Sequence, residues 1–250
     1  MPPLNHDPLF VAVVIAVLGF MIGLSKGGFN ALGGLLTPIL SLVLPVSLAV
    51  GVLLPMLIVG DAFAIYSYWR EWDGQLVWRM LPAAVVGALA GTFLLAELAP
   101  NALRLALAGF VLLLVAYKFA SDRVSGLRYQ PRAWHAPLSG GLAGLASGLF
   151  NSGGGPINSY LLLQQLPPRV FIGTTALFFA LLNLIKVPGF LYTGVLNLPL
   201  LLSLWWVYLF IPLGLWVARG LIFRLNQQAF DWLIVILLVL ASALLIWQSL

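Results

Sequence analysis

Apolar side chains fill most of the chain in long runs, at about 46–69, 75–96 and 101–119 in the first half and about 170–192, 199–217 and 229–248 in the second. Each run comes close to the ~20 residues that an α-helix needs to cross hydrocarbon and exceeds what a strand requires. Ahead of each triplet stand two shorter apolar runs around a glycine-rich break. These are about 8–24 and 35–44 around 25–34, then about 137–150 and 157–166 around 151–156. Backbone polar groups inside a bilayer must be satisfied within the protein, which leaves helices for segments of this length. The pattern predicts an all-α, polytopic membrane protein forming a single integral domain over 1–250.

The two halves echo one another. "GLSKGGFNALGG" at 23–34 aligns with "GLASGLFNSGGG" at 144–155 with seven identities in twelve. After a one-residue gap Leu44-Pro45 pairs with Leu166-Pro167, Gly51 with Gly173 and Asp61 with Asn183. Repeat 1 is expected over about 8–119, a basic linker over about 120–135, and repeat 2 over about 136–250. If each broken pair enters and returns, Arg70, Arg79, Lys118, Arg123, Arg128, Arg132, Arg169, Arg219 and Arg224 share the linker's side, and only Arg104 lies opposite. A single crossing would move Arg169, Arg219 and Arg224 to the other side, a poorer fit to the excess of Lys and Arg in cytoplasmic loops. The expected arrangement is therefore two inverted repeats, with the linker cytoplasmic and both termini periplasmic. Charge counting does not distinguish a re-entrant hairpin from two tilted spans.

Composition agrees with the pattern: 62% of the 250 residues are hydrophobic and 8% are charged. The net charge of +5 sits in short loops, where it orients a membrane protein and does not suggest nucleic acid. The start, "MPPLNHDP", has no Lys or Arg and predicts no cleaved secretory signal. With no cysteine there is no thiolate chemistry or disulfide. His6 and His135 fall outside the spans, are expected to face solvent, and have no metal-ligand partner at useful spacing, so no cofactor is predicted. Trp69, Trp72, Trp78, Trp134, Trp205, Trp206 and Trp232 lie at predicted helix ends, as interfacial anchors do.

Candidate chemistry concentrates at the breaks. Non-helical backbone at membrane depth is tolerated where it lines a watery cavity, and broken helices in inverted repeats are how secondary transporters hold substrates near the midplane. The runs starting at Leu35 and Ile157 would present free N–H groups and positive dipole ends to an anion. Lys26 adds a full charge at the first break, and Asn30, Asn151 and Ser152 add neutral donors, with Gly34 and Gly155 allowing close approach. A lysine in hydrocarbon costs about 2.5–3.5 kcal/mol unless paired or hydrated. On the following helices, Lys186 lies one turn beyond Asn183 on the same face. Asp61 could pair with Lys186 or Lys26, or serve as a coupling-ion site; Lys186 could also snorkel outward. Pro55 and Pro188 are candidate kinks. Small-residue faces such as Gly87 and Gly91 are open to helix packing, including a homodimer.

The segments "GLSKGGFNALGGLLTPIL", "GLASGLFNSGGGPI" and "VFIGTTALFFALLNLIKVPGFLYTG" resemble the TauE/SafE family of sulfite and organosulfonate exporters over nearly the whole chain. The resemblance implies a bacterial inner-membrane permease that moves a small sulfur-containing anion, with membrane lipid as its surroundings. An anion channel, or an uptake permease for another small organic anion, uses the same breaks. An intramembrane enzyme is disfavoured, because no HExxH motif, paired acids at helical spacing or histidine base for Ser25 or Ser152 is present.

Overall fold

A computed structural model describes residues 8–124, 132–221 and 227–249. The described residues form helices α1 (Pro8–Lys26), α2 (Leu36–Ser41), α3 (Val46–Ser67), α4 (Gly74–Glu97), α5 (Pro100–Val124) and α6 (His135–Phe150). They continue with α7 (Gly154–Leu163), α8 (Pro168–Tyr192), α9 (Leu198–Ser203), α10 (Phe210–Leu221) and α11 (Gln227–Trp247). Six of these are long and apolar enough to cross a membrane: α1, α3, α4, α5, α8 and α11. The chain is an all-α, multi-pass membrane protein.

Most expected boundaries hold to within a few residues, with two informative differences. α5 runs on to Val124, into the predicted linker. The run at 199–217 is not one helix; it divides into α9, a 3-10 segment Trp205–Leu209, and α10. Pro212 explains the restart: in a continuous helix its ring would meet the carbonyl of Tyr208, whereas starting at Phe210 puts it in a first turn, where its missing N–H has no partner to lose. Asn197 begins the segment as a helix cap, its side chain accepting from the Leu200 amide at 3.1 Å. His135, expected in solvent, is half-buried and stacked on Trp134 with ring centroids 3.9 Å apart. His6, Arg128 and Arg224 lie outside the described residues. Trp69, Trp78, Trp134, Trp205 and Trp232 are exposed, as interfacial anchors would be.

The helices pack reciprocally between the halves. α4 lies along α6, and α1 lies along α10, so the middle run of each half's triplet takes the first helix of the other half. α3 packs on α8 and α5 on α11, like against like. Small residues permit the closest of these contacts. A Cβ on Gly144 of α6 would stand 2.0 Å from the Ala84 carbonyl oxygen, and one on Gly23 of α1 would stand 2.1 Å from that of Ile211. Those two glycines are matched in the repeat alignment. The same holds at the helix starts: Gly51 presses on the Val195 carbonyl after α8, and Gly173 on the Glu71 carbonyl after α3. Thr174 accepts from the Asp73 amide at 2.9 Å, and Arg169 grips Glu71 with two bonds of 2.5 and 2.8 Å.

Gly87 and Gly91, expected to be open to a second copy, face α6 inside the chain, with Cβ positions 2.2 and 2.5 Å from the Gly141 and Leu145 carbonyls. That face is therefore already filled.

Gly144→Val should separate α4 from α6 and lower the melting temperature in detergent, at a cost of about 3 kcal/mol or more, since an added side chain meets backbone that cannot rotate away. Gly109→Ala in α5, where a Cβ meets nothing within 4 Å, should leave the melting temperature in place.

Candidate functional site

Both breaks open on one cavity of about 490 Å³. The first begins where α1 ends at Lys26. Gly28 takes φ 130°, which a residue with a Cβ rarely adopts, and the chain then winds as a 3-10 turn over Asn30–Gly34 before α2. The second is tighter. Asn151 turns the chain in the left-handed region (φ 52°), its amide closing on the Ser147 carbonyl at 3.0 Å, and α7 starts at Gly154. Asparagine tolerates this conformation better than other side chains.

The two breaks are therefore chemically unequal, although their sequences match. The Leu35 amide, expected to be free for an anion, donates to the Leu32 carbonyl at 3.0 Å inside the 3-10 turn, and α2 is only six residues long. α7 starts instead with Gly153, Gly154 and Gly155 on the cavity wall and no side-chain cap. Pro156 follows in the first turn, where its ring is accommodated. The start of a ten-residue helix thus faces the cavity at the second break, whereas at the first the Leu35 amide is engaged.

The breaks are tied to each other and to the helices behind them. Thr37 donates from Oγ1 to the Phe150 carbonyl at 2.6 Å, joining α2 to the end of α6. Asn151 donates from Nδ2 to the Val50 carbonyl at 2.8 Å, joining the second break to α3. Its Oδ1 accepts from Lys186 Nζ at 2.7 Å. The same ammonium donates to Ser147 Oγ at 2.9 Å and to the Ser147 carbonyl at 3.1 Å. Lys186 is 1% exposed, so it neither snorkels outward nor lines the cavity. Its buried amine is held by neutral oxygens, with the Phe190 ring 5.6 Å away.

Lys26 does line the cavity, and it forms an ion pair with Asp61, which is fully buried behind it. Asp61 takes its second hydrogen bond from Asn183 Nδ2 at 2.7 Å, so the two residues matched by the repeat alignment meet directly where α3 crosses α8. Among the alternatives open for Asp61, its partner is Lys26 and not Lys186. Lys26, Asp61 and Lys186 thus bring two amines and one carboxylate to the α3–α8 crossing, with Lys26 on the cavity side and Lys186 enclosed.

Of the residues expected at the site, Lys26, Gly34, Asn151, Ser152, Gly155 and Asn183 line this cavity, while Asp61 and Lys186 stand behind its wall. The Asn30 side chain lies outside the described residues. Sequence reasoning missed Tyr117, Lys118, Asn158, Ser159 and Asp231, which line the cavity from α5, α7 and α11. Lys118 pairs with Asp231 at 3.1 Å, and Tyr117 hydrogen-bonds Ser159. Tyr117 and Ser159 lie 42 positions apart, and Lys118 and Asp231 lie 113 apart. The residual signal is weak: Lys118 and Asp231 are charges at the ends of apolar runs.

Residues 15–245 match the family described as Sulfite exporter TauE/SafE. No curated protein and no solved structure matches the chain. The match covers nearly every described helix and both glycine-rich breaks, so the chain belongs to the sulfite exporter TauE/SafE family of membrane transporters.

Proposed function

We propose that the chain is a secondary transporter that exports a small sulfur-containing anion, sulfite or an organosulfonate, across the bacterial inner membrane by alternating access. One observation carries this reading: a single cavity receives both broken segments, with an uncapped helix start and a lysine on its wall. The amides at the start of α7, the Ser152 hydroxyl and the Lys26 ammonium would hold the anionic head, and Asn183 would add a donor. Gly34 and Gly155 keep the wall low enough for the head to approach backbone. Lys186 and Asn151 act from behind: the Lys186 amine holds the oxygen of Asn151, and Asn151, engaged on both sides of its amide, holds the second break in place.

In this reading Asp61 is the coupling carboxylate. It shares Lys26 with the arriving anion, so anion binding and the charge state of the buried pair are linked. The halves, about 8–119 and 136–250, act as inverted repeats that rock about the α3–α8 crossing. The reciprocal α4–α6 and α1–α10 packing supports this relation, as does the meeting of Asp61 with Asn183. The basic linker faces the cytoplasm and the termini face the periplasm, following the loop charges.

Labelled sulfite should leave proteoliposomes containing the purified protein with saturable kinetics, and faster under an imposed pH gradient. Asp61→Asn should retain flux and lose its response to the gradient. Flux without saturation, accompanied by single-channel currents in planar bilayers, would replace the carrier reading with a channel.

Lys26→Met leaves Asp61 as an uncompensated buried charge and should destabilise the protein by about 3–5 kcal/mol. Adding Asp61→Asn should restore the melting temperature but not anion affinity, measured by calorimetric titration with sulfite. Recovery of affinity in the double variant would remove Lys26 from the binding site.

A further inference from the structure

The cavity belongs to one side of the membrane. α4 crosses and α5 returns, so the end of α3, the end of α5 and the linker that follows share a side. Arg169 on Glu71 brings the start of α8 to that linker side, and Lys118 with Asp231 brings the start of α11. The lining comes from these ends. It lies between Ile172 and Asn183 on α8, between Leu114 and Lys118 on α5, and between Phe230 and Leu238 on α11. The opposite ends of the same three helices contribute none of its described lining.

The repeat correspondence shows what stands on the far side. Carried on from Gly51 with Gly173 and Asp61 with Asn183, it matches Ile172 and Ala176 of the cavity wall with Val50 and Leu54. Ile172, Ala176, Phe179 and Asn183 share one stripe of α8, and Lys186 is its next member. On α3 the matching stripe runs through Val50, Leu54, Leu57 and Asp61 to Ala64, which lines the cavity. The stripes meet where Asn183 donates to Asp61. Beyond that meeting Val50, Leu54 and Lys186 are buried, and Val50 and Leu54 pack with Phe150 and Phe190.

The second break fills this far side, and Asn151 spans it. Its Nδ2 donates to the Val50 carbonyl on α3 at 2.8 Å, and its Oδ1 accepts from Lys186 Nζ on α8 at 2.7 Å. The Val50 carbonyl can only accept, which fixes the way the amide faces. We infer that this structure is the state open to the linker side, and that Asn151 is the latch that holds the far side shut by joining Val50 to Lys186. The inference rests on the alternating-access reading and deepens it. When the second break withdraws, both bonds of Asn151 part, and Val50, Leu54 and Lys186 line a cavity open to the far side. Asn151 is a positioning residue in this exchange.

The chain has no cysteine, so single cysteines report exposure directly. In membrane vesicles of either orientation, a membrane-impermeant methanethiosulfonate reagent should modify Ile172→Cys from one side and its match Val50→Cys from the other, the second more slowly. Asn151→Gly removes the latch without straining the backbone at φ 52°, which glycine adopts freely. It should raise the Val50→Cys rate about fivefold or more, the scale of one net hydrogen bond, and keep the Ile172→Cys rate within about twofold. Modification of both cysteines from the same side, or a Val50→Cys rate unmoved by Asn151→Gly, would overturn the latch. A rise in both rates would mark general loosening and overturn it as well. Should Val50→Cys fail to fold, Leu54→Cys, matched with Ala176→Cys, gives the same comparison. These rates need no substrate. The expected pattern without sulfite flux would therefore overturn the sulfite reading and support the latch, whereas saturable flux with both cysteines modified from one side would overturn the latch alone.

Discussion

A chain that stops being helical at membrane depth releases amides and carbonyls that lipid cannot satisfy. Here side chains beside one interruption reach backbone at or near the other. Thr37 after the first break closes on the carbonyl of Phe150 before the second, and Asn151 in the second reaches the Val50 carbonyl behind the first. The breaks have to stand close for these bonds to form. The cavity lies where they meet, so the same interruptions that make broken helices costly also form part of its wall.

Close backbone contact is the second requirement, and glycine meets it. Between α4 and α6, and between α1 and α10, carbonyl oxygens of one helix occupy the space where a Cβ of the other would be. Lipid tails are as apolar as the side chains, so helix association here depends on contact area and packing more than on removal of apolar surface from water. Filling the small-residue faces of α4 and α6 within one chain joins the two halves. It also assigns Gly87 and Gly91 to folding.

The charges are arranged in depth. Lys26 is on the cavity, Asp61 and Asn183 lie at the crossing of α3 and α8, and Lys186 is enclosed by Ser147 and Asn151. Breaking a buried ion pair costs more than the pair contributes, which makes Lys26 and Asp61 interdependent: a ligand that draws on Lys26 necessarily acts on Asp61. Lys186 has no such carboxylate partner. Its amine is held by the oxygens of Ser147 and Asn151, which fixes the second break against α8.

The sequence by itself determined the class and most of the plan. Apolar run length is a local property matched to bilayer thickness, so α3, α4, α5, α8 and α11 were legible, and α1 nearly so. The matched glycines at 23 and 144, and at 51 and 173, were legible, and each meets backbone of another segment where a Cβ would stand. Lys26, Asp61, Asn183 and Lys186 stood out because charges and amides are rare among apolar neighbours. What only the tertiary structure decided was the pairing. Lys26 and Lys186 were equal candidates for Asp61 until the α3–α8 crossing set the distances. The equal-looking breaks diverged because 3-10 winding at Asn30–Gly34 consumes the amide that α7 leaves open. Tyr117, Lys118, Asn158, Ser159 and Asp231 entered the cavity wall through contacts between segments remote in sequence, which no local pattern encodes.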